Sequence, residues 1–373
     1  DDTLPNETIT DEAFVEQEVT VPNEEMEESS EGVEVTMDEE GGAQIDFDPK
    51  AEGLESQDHF SNLAEIMEDQ YLGELGSTLF DQYTEYKESR ADWENTYREG
   101  LELLGFKYER RTEPFRGASG VNHPVLAEAV TQFQAQAYKE LLPADGPVRA
   151  QILGDISNEK QDQANRVKDF MNYQIMDQMP EYEPEFDQML FYLPLSGSTF
   201  KKIYYDDLLG RAVSKFVPAD DLIVPYSANS LEDAEAIVHV IRMSENEIRK
   251  QQVSGFYKDV EVGNPPVTSN ELKDTELKLE GITKNSNQDQ FNLLEMHVDL
   301  DLEGFEDMGQ DGEPTGIKLP YIVTILESTN EILSIRRNYT EDDPLKEKIK
   351  YFVQFKFLPG TGFYGFGLIH MIG

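Results

Sequence analysis

Hydrophobic periodicity changes along this chain, and the order of that change limits the architecture more than any other feature. From about residue 60 to 193, apolar side chains recur every three to four positions; from Thr199 onward they mostly alternate. The first spacing paints a stripe on a helix, and the second paints one face of a strand. Helices come first and strands later, without βαβ alternation, so the expected class is α+β: a helix-rich first half and an antiparallel β-rich second half.

Individual elements follow from the same spacing. Leu79, Phe80, Tyr83, Tyr86, Trp93, Tyr97, Leu101 and Leu104 predict one or two long helices ending near Gly105. In the next helix Asn122 or His123 can cap, Pro124 suits the first turn, and Val125, Ala129, Val130, Phe133, Ala137 and Leu141 form one face. A third helix is expected over about 159–178 with Val167, Phe170, Met171 and Ile175 inward, and a fourth over 183–193. Thr199–Tyr205 and Arg211–Val217 read as a hairpin, 222–225 as an edge strand, and 236–243 as a strand running into a capping box at Ser244 and Glu247. Further strands are expected at 291–302, 319–327, 331–339 and 351–358.

Charge sets the domain plan. Asp and Glu number 76 against 31 Lys and Arg, a net of −45, and residues 1–50 alone carry 18 acidic residues and one Lys. Residues 1–55, acidic and almost free of aromatics, read as a disordered arm, because they cannot bury enough apolar surface to offset the entropy of ordering. The remainder divides into a helical part with a β-hairpin (56–262), a polar, proline-punctuated linker or insertion (263–290), and a β-rich part (291–373). So acidic a chain repels a phosphate backbone at long range, which disfavours a groove-reading nucleic-acid binder. The absence of cysteine excludes disulfides, thiolate metal sites and cysteine nucleophiles. No apolar run nears the ~20 residues that cross a bilayer, and the first residues lack the pattern of a signal peptide, so the chain reads as soluble and intracellular with no membrane partner.

Motifs that carry chemistry are few. Gly360, Gly362 and Gly365 have the G-x-G-x-x-G spacing of a pyrophosphate cradle. The strand before them belongs to an antiparallel series, and aromatics sit where backbone amides should meet a phosphate, so the favoured reading is a strand-to-helix connection; a nucleotide-binding enzyme is the alternative. Asp299, Asp301, Glu303 and Gly304 imitate the opening of a calcium loop, but the twelfth place is Gln310, so a calcium-binding module is a second alternative and a solvated loop the favoured reading. The five histidines show no metal-ligand spacing, and His239 and His297 fall in expected strands. No residue earns a catalytic, cofactor-binding or metal-binding assignment, and the chain is read as a non-enzyme that needs no cofactor. Arg110, Arg111 and Arg116 bracket Pro114 and Phe115 in a basic loop within an acidic chain; the favoured reading is local neutralisation of the neighbouring helices, and the alternative is a subunit interface anchored by Arg and Phe.

Four segments carry a family resemblance: RTEPFRGASGVNHPVLAEAVTQFQAQAYKELLPADGPVRAQILG (111–154), PLSGSTFKKIYYD (194–206), FVPADDLIVPYSANSLEDAEAIVH (216–239) and FYGFGLIHMIG (363–373). In that order they resemble the portal proteins, or head-to-tail connectors, of short-tailed bacteriophages, from about residue 60 to the last residue and excluding the acidic arm and 263–290. The resemblance implies a structural virion protein, assembled in the host cytoplasm as a ring, usually dodecameric, at one capsid vertex. Double-stranded DNA would pass through it during packaging and ejection without sequence-specific binding. Capsid protein, terminase, and tail or adaptor proteins would be its partners. The part present would be the wing, with the stem and clip expected beyond the last residue given.

Overall fold

The computed structural model describes residues 34–37, 43–46, 59–104, 115, 124–154, 157–206, 209–263, 271–279, 290–309, 312–360 and 362–372. Within the stretch expected to be a disordered arm, the described residues form two short strands, β1 (Glu34–Met37) and β2 (Ala43–Asp46), paired antiparallel with Val35 opposite Ile45. The rest of the arm lies outside the described residues.

From His59 to the end the chain forms one compact unit. A 3₁₀ turn at Leu63–Glu65 leads into α1 (Asp69–Ser89) and α2 (Ala91–Glu102). Then come α3 (Val125–Leu141), α4 (Asn158–Tyr173), which continues as a π turn over Gln174–Gln178, and α5 (Tyr182–Ser196). The hairpin β3 (Ser198–Asp206) and β4 (Arg211–Pro218) follows, then β5 (Leu222–Ile223) and β6 (Ala236–Ser244). After α6 (Glu245–Val253) and α7 (Glu271–Leu279) come β7 (Gln290–Leu300), β8 (Leu319–Leu326), β9 (Glu331–Arg337), β10 (Phe352–Lys356) and α8 (Leu368–Ile372). The α+β class is therefore as the periodicity indicates, including the capping box of Ser244 and Glu247.

Two antiparallel sheets organise the unit. One runs β5-β6-β7-β8-β9; the other runs β10-β3-β4. Pairing crosses the expected linker, since β6 pairs with β7, and the late strand β10 closes on β3 from the helical half. The two parts on either side of 263–290 are thus interleaved in one body. Inside that span, residues 271–279 form α7, and Leu272 is buried in a cluster with Tyr97, Leu101 and Leu126. Leu272 and Leu279, one on each end of two helical turns, supply an apolar contact that a purely compositional reading of the span misses.

The five-stranded sheet buries one face under α1 and the 3₁₀ turn. Leu63, Leu72, Leu79 and Tyr83 pack there on Val238, Met296, Val323 and Ile335. Its β9 edge is covered by side-chain chemistry as well: Asn62 Nδ2 donates to the Leu333 carbonyl at 3.1 Å, and Asn62 Oδ1 accepts from Ile335 N–H at 3.0 Å. An edge strand satisfied in this way offers less backbone to a foreign strand. On the other face the sheet meets β10 and β3.

Two helical faces differ from expectation. In α3 Val130, Phe133 and Ala137 turn inward as expected, joined by buried Leu126 and Ala127, whereas Val125 and Leu141 at the two ends of the expected stripe are exposed. In α4 the difference is larger. The helix has no buried residue, and Val167, Phe170 and Met171, expected inward, are 52, 58 and 39 % exposed. Its cap is in order, with Ser157 Oγ accepting from Lys160 N–H, but no described neighbour covers its apolar stripe.

Candidate functional site

Four regions hold chemistry, and they sit on different elements. The first is the apolar face of α4. Asn172 ties the end of that helix to the preceding loop: its Oδ1 accepts from Val148 N–H at 2.9 Å, and its Nδ2 donates to the Val148 carbonyl at 3.2 Å. The helix is therefore anchored at one end while its stripe of Val167, Phe170 and Met171 faces solvent. Of the residues considered for a subunit interface, Phe115 is 72 % exposed, and Arg110, Arg111 and Arg116 lie outside the described residues.

The second region is the terminal glycine run. β10 before it is an antiparallel partner of β3, and Leu358 bridges back to Phe366, so the connection is a closed loop and not the turn of a βαβ unit. Gly365 donates its N–H to Ser198 Oγ at 2.7 Å. A Cβ at Gly365 would lie 2.5 Å from the Gly197 carbonyl oxygen and 2.7 Å from that of Leu358, distances no side chain tolerates. Gly197 itself has φ +83°, a left-handed conformation that glycine adopts at little cost. Glycine here permits backbone to pack on backbone at the corner between α5 and β3.

Aromatics of the same loop complete the interior. Phe363 stacks on Phe200 at 5.7 Å, and Tyr364 stacks on Trp93 at 4.6 Å. Tyr364 also meets Arg90, the residue between α1 and α2, whose buried guanidinium donates to the Ala219 and Leu222 carbonyls and to Tyr364 Oη, each at 2.9 Å. One arginine thus satisfies carbonyls of the turn before β5 and of its first residue, and pins the C-terminal loop to the helices.

The third region is an ionic network between the two sheets. Lys202 on β3 reaches Glu295 on β7, its Nζ donating to both carboxylate oxygens at 2.6 Å. His297 Nε2 lies 3.0 Å from the same Oε1, and His239 Nδ1 is 3.8 Å from it, beyond hydrogen-bond reach. Register explains the meeting: His239 on β6 is directly opposite Glu295, and Glu295 and His297 are two apart on β7, hence on one face. Burial pushes the Glu295 carboxyl up, but Lys202 and the imidazoles outweigh it and hold the group well below the usual carboxylate range. Burial dominates at His297 and pushes its imidazole down in spite of Glu295. Periodicity places each histidine in its strand; only strand register brings both to one carboxylate.

A further buried cluster lies under α7. Arg242 forms a bidentate pair with Asp221 at 2.8 and 2.6 Å, and Lys273 Nζ is 3.6 Å from Asp220 and 2.9 Å from Glu276. Burial, helped by the neighbouring Asp221 charge, raises the Asp220 carboxyl to about 7, and its Oδ2 has no hydrogen bond.

The acidic loop after β7 does not gather its carboxylates. Asp299 pairs with Pro320 within the sheet, and Gly304 N–H is taken by Glu306. Among the described residues no group of three or more His, Cys, Asp or Glu side chains is placed to hold a metal ion, and no helix is long and apolar enough to cross a membrane. No protein-family model and no curated protein matches this chain.

Proposed function

We propose that this protein is a self-assembling structural subunit, the portal subunit of a short-tailed phage, which forms a ring at one capsid vertex and passes double-stranded DNA. The observation that carries the assembly part is α4: a capped helix with a coherent apolar stripe that the rest of the described chain leaves bare. Apolar surface of that kind on an otherwise strongly acidic chain is matched to another protein surface. The DNA part rests on the resemblance of the four segments and is compatible with charge. An annulus of subunits each carrying a net −45 repels phosphate, so a duplex slides through it instead of adhering. Terminase, capsid protein and tail or adaptor proteins are the partners this reading assigns, and it assigns no catalytic residue.

Sedimentation velocity of the full chain over a range of concentrations, followed by negative-stain electron microscopy, tests it. Closed rings are expected, and Phe170→Glu is expected to return them to monomer with an unchanged melting temperature, since Phe170 is exposed in the monomer. A wild-type chain that stays monomeric at every concentration overturns the reading.

A further inference from the structure

The edges of the two large sheets are not treated alike. β9 is covered by Asn62, and β5 is only two residues long. On β4 the outward N–H of Phe216 donates to the Glu185 carboxylate. β10 is different. Phe357 N–H donates to the Gly197 carbonyl at 3.0 Å, and the Tyr351 carbonyl accepts from Ile203 N–H at 2.8 Å, so the odd-numbered residues from 351 to 357 face β3. An antiparallel ladder turns alternate residues to opposite sides, so Phe352, Gln354 and Lys356 send their N–H and C=O groups outward. Among the described residues, none of those backbone groups has a hydrogen-bond partner.

A pocket of about 400 Å³ opens alongside this strand. Consecutive residues 348–354 form one wall, and Ile237, His297 and Pro320 of the five-stranded sheet face them. The Asn338 carbonyl accepts from Ile349 N–H at 2.9 Å and holds that wall against the end of β9. A groove that follows successive residues up to an unpaired strand edge has the form of a site for a further strand.

Charge selects the strand. Residues 346–356 carry four lysines and one glutamate in a chain of net −45. The carboxylates of the lining have their own cations: Glu232 pairs with Lys350, and Asp299 feels the charge of Lys348 and Lys318. Lys356, exposed at the end of β10, stands over the Phe363 ring at 5.9 Å and has no carboxylate at ion-pair distance among the described residues. A lysine on an edge keeps two copies of that edge from pairing with each other, whereas an acidic strand meets no such barrier.

We propose that β10 accepts an extended segment of a partner protein, with acidic and apolar residues in alternation, as a further strand of the β10-β3-β4 sheet. Its backbone bonds Phe352, Gln354 and Lys356, its apolar side chains enter the pocket, and a carboxylate meets Lys356. No residue of α4 takes part, so this pairing does not depend on the assembly reading.

A fluorescein-labelled peptide of alternating valine and glutamate, about eight residues long, is titrated against the full chain by fluorescence anisotropy. Saturable binding is expected, with the valine and lysine counterpart several-fold weaker. Gln354→Pro removes one outward N–H and leaves the bonds to β3 in place, because an edge strand admits proline at such a position. It is expected to weaken binding roughly tenfold, the worth of one hydrogen bond, whereas Gln354→Ala keeps the N–H and binds as the wild type does. Absence of saturable binding, equal affinity for the two peptides, or equal affinity of the two variants overturns the proposal. If the proline is not accommodated, the peptide decides. N-methylation of all its valines and of all its glutamates is expected to have unequal effects, since only one set of amides faces β10, and equal effects overturn the proposal as well.

Discussion

Lys201 and Lys202 are neighbours in β3, and the pleat of the strand sends them to opposite faces of the sheet. Lys202 meets a buried carboxylate, with both Glu295 oxygens at 2.6 Å. Lys201, only 3 % exposed, meets rings: its Nζ lies 3.9 Å from the Tyr182 ring centre and 5.3 Å from that of Phe186, and its hydrogen bond is a donation to Ser214 Oγ at 3.2 Å. Burial pushes the Lys201 amine down to about 8, only partly opposed by Glu185 and Glu181. Identical side chains one residue apart thus become a matched ion pair and a strained buried cation. What separates them is whether the facing element supplies a counter-charge at contact distance.

That difference can be broken or sharpened by experiment. The largest effect is expected from Lys202→Met. It leaves Glu295 buried without its cation, and removal of one partner of a buried pair costs about 3–5 kcal/mol. Urea denaturation should register that loss, and a loss under 1 kcal/mol would mean that the two imidazoles suffice to hold the carboxylate. Lys201→Met should go the other way at pH 7, from neutral to about 1 kcal/mol more stable, because it removes a desolvated charge and keeps the apolar contact with Tyr182 and Phe186. A loss of several kcal/mol there would show that the ring contacts outweigh desolvation.

The smallest expected effect is a slope. Since the Lys201 pKa falls from 10.5 to about 8 on folding, the folded chain gives up its proton before the unfolded chain does. Between those values the unfolded state binds more protons, so this residue makes stability rise as pH increases from about 8 toward 10.5. Below pH 8 both states are protonated and the contribution is flat. Denaturation midpoints at pH 8 and 10 should therefore differ more in the wild type than in Lys201→Met. Equal slopes would place the origin of the effect elsewhere.

The two lysines also illustrate how far the sequence can be read. Alternation in 199–205 places them on opposite faces, but nothing in KK says which face holds a carboxylate, because Glu295 is more than ninety positions away and arrives through β7. The same holds for His239 and His297, whose strands were legible and whose meeting at Glu295 was not. Helix faces divide similarly. The stripes of α1 and α4 are both evident from spacing, yet α1 buries Leu72, Leu79 and Tyr83 on the sheet whereas α4 buries nothing. A stripe records that a face is apolar, not which surface covers it. The glycine run was legible as a strand-to-helix connection; its close approach to Gly197 was not, since residues 197 and 365 come together only when β10 pairs with β3.

By itself the sequence determined the α+β class, the strand and helix positions from 60 onward except α7, the capping box before α6 and the acidic balance. These depend on local periodicity, on side chains three residues apart, or on a sum over the chain. Tertiary structure alone decided that the halves on either side of 263–290 interleave, that α7 docks through Leu272, that α4 stays bare, and that Glu295, His297 and Asn338 acquire their surroundings. Each of those outcomes depends on which distant strands pair and in what register. Pairing is a property of the assembled chain, because every candidate partner carries the same alternation.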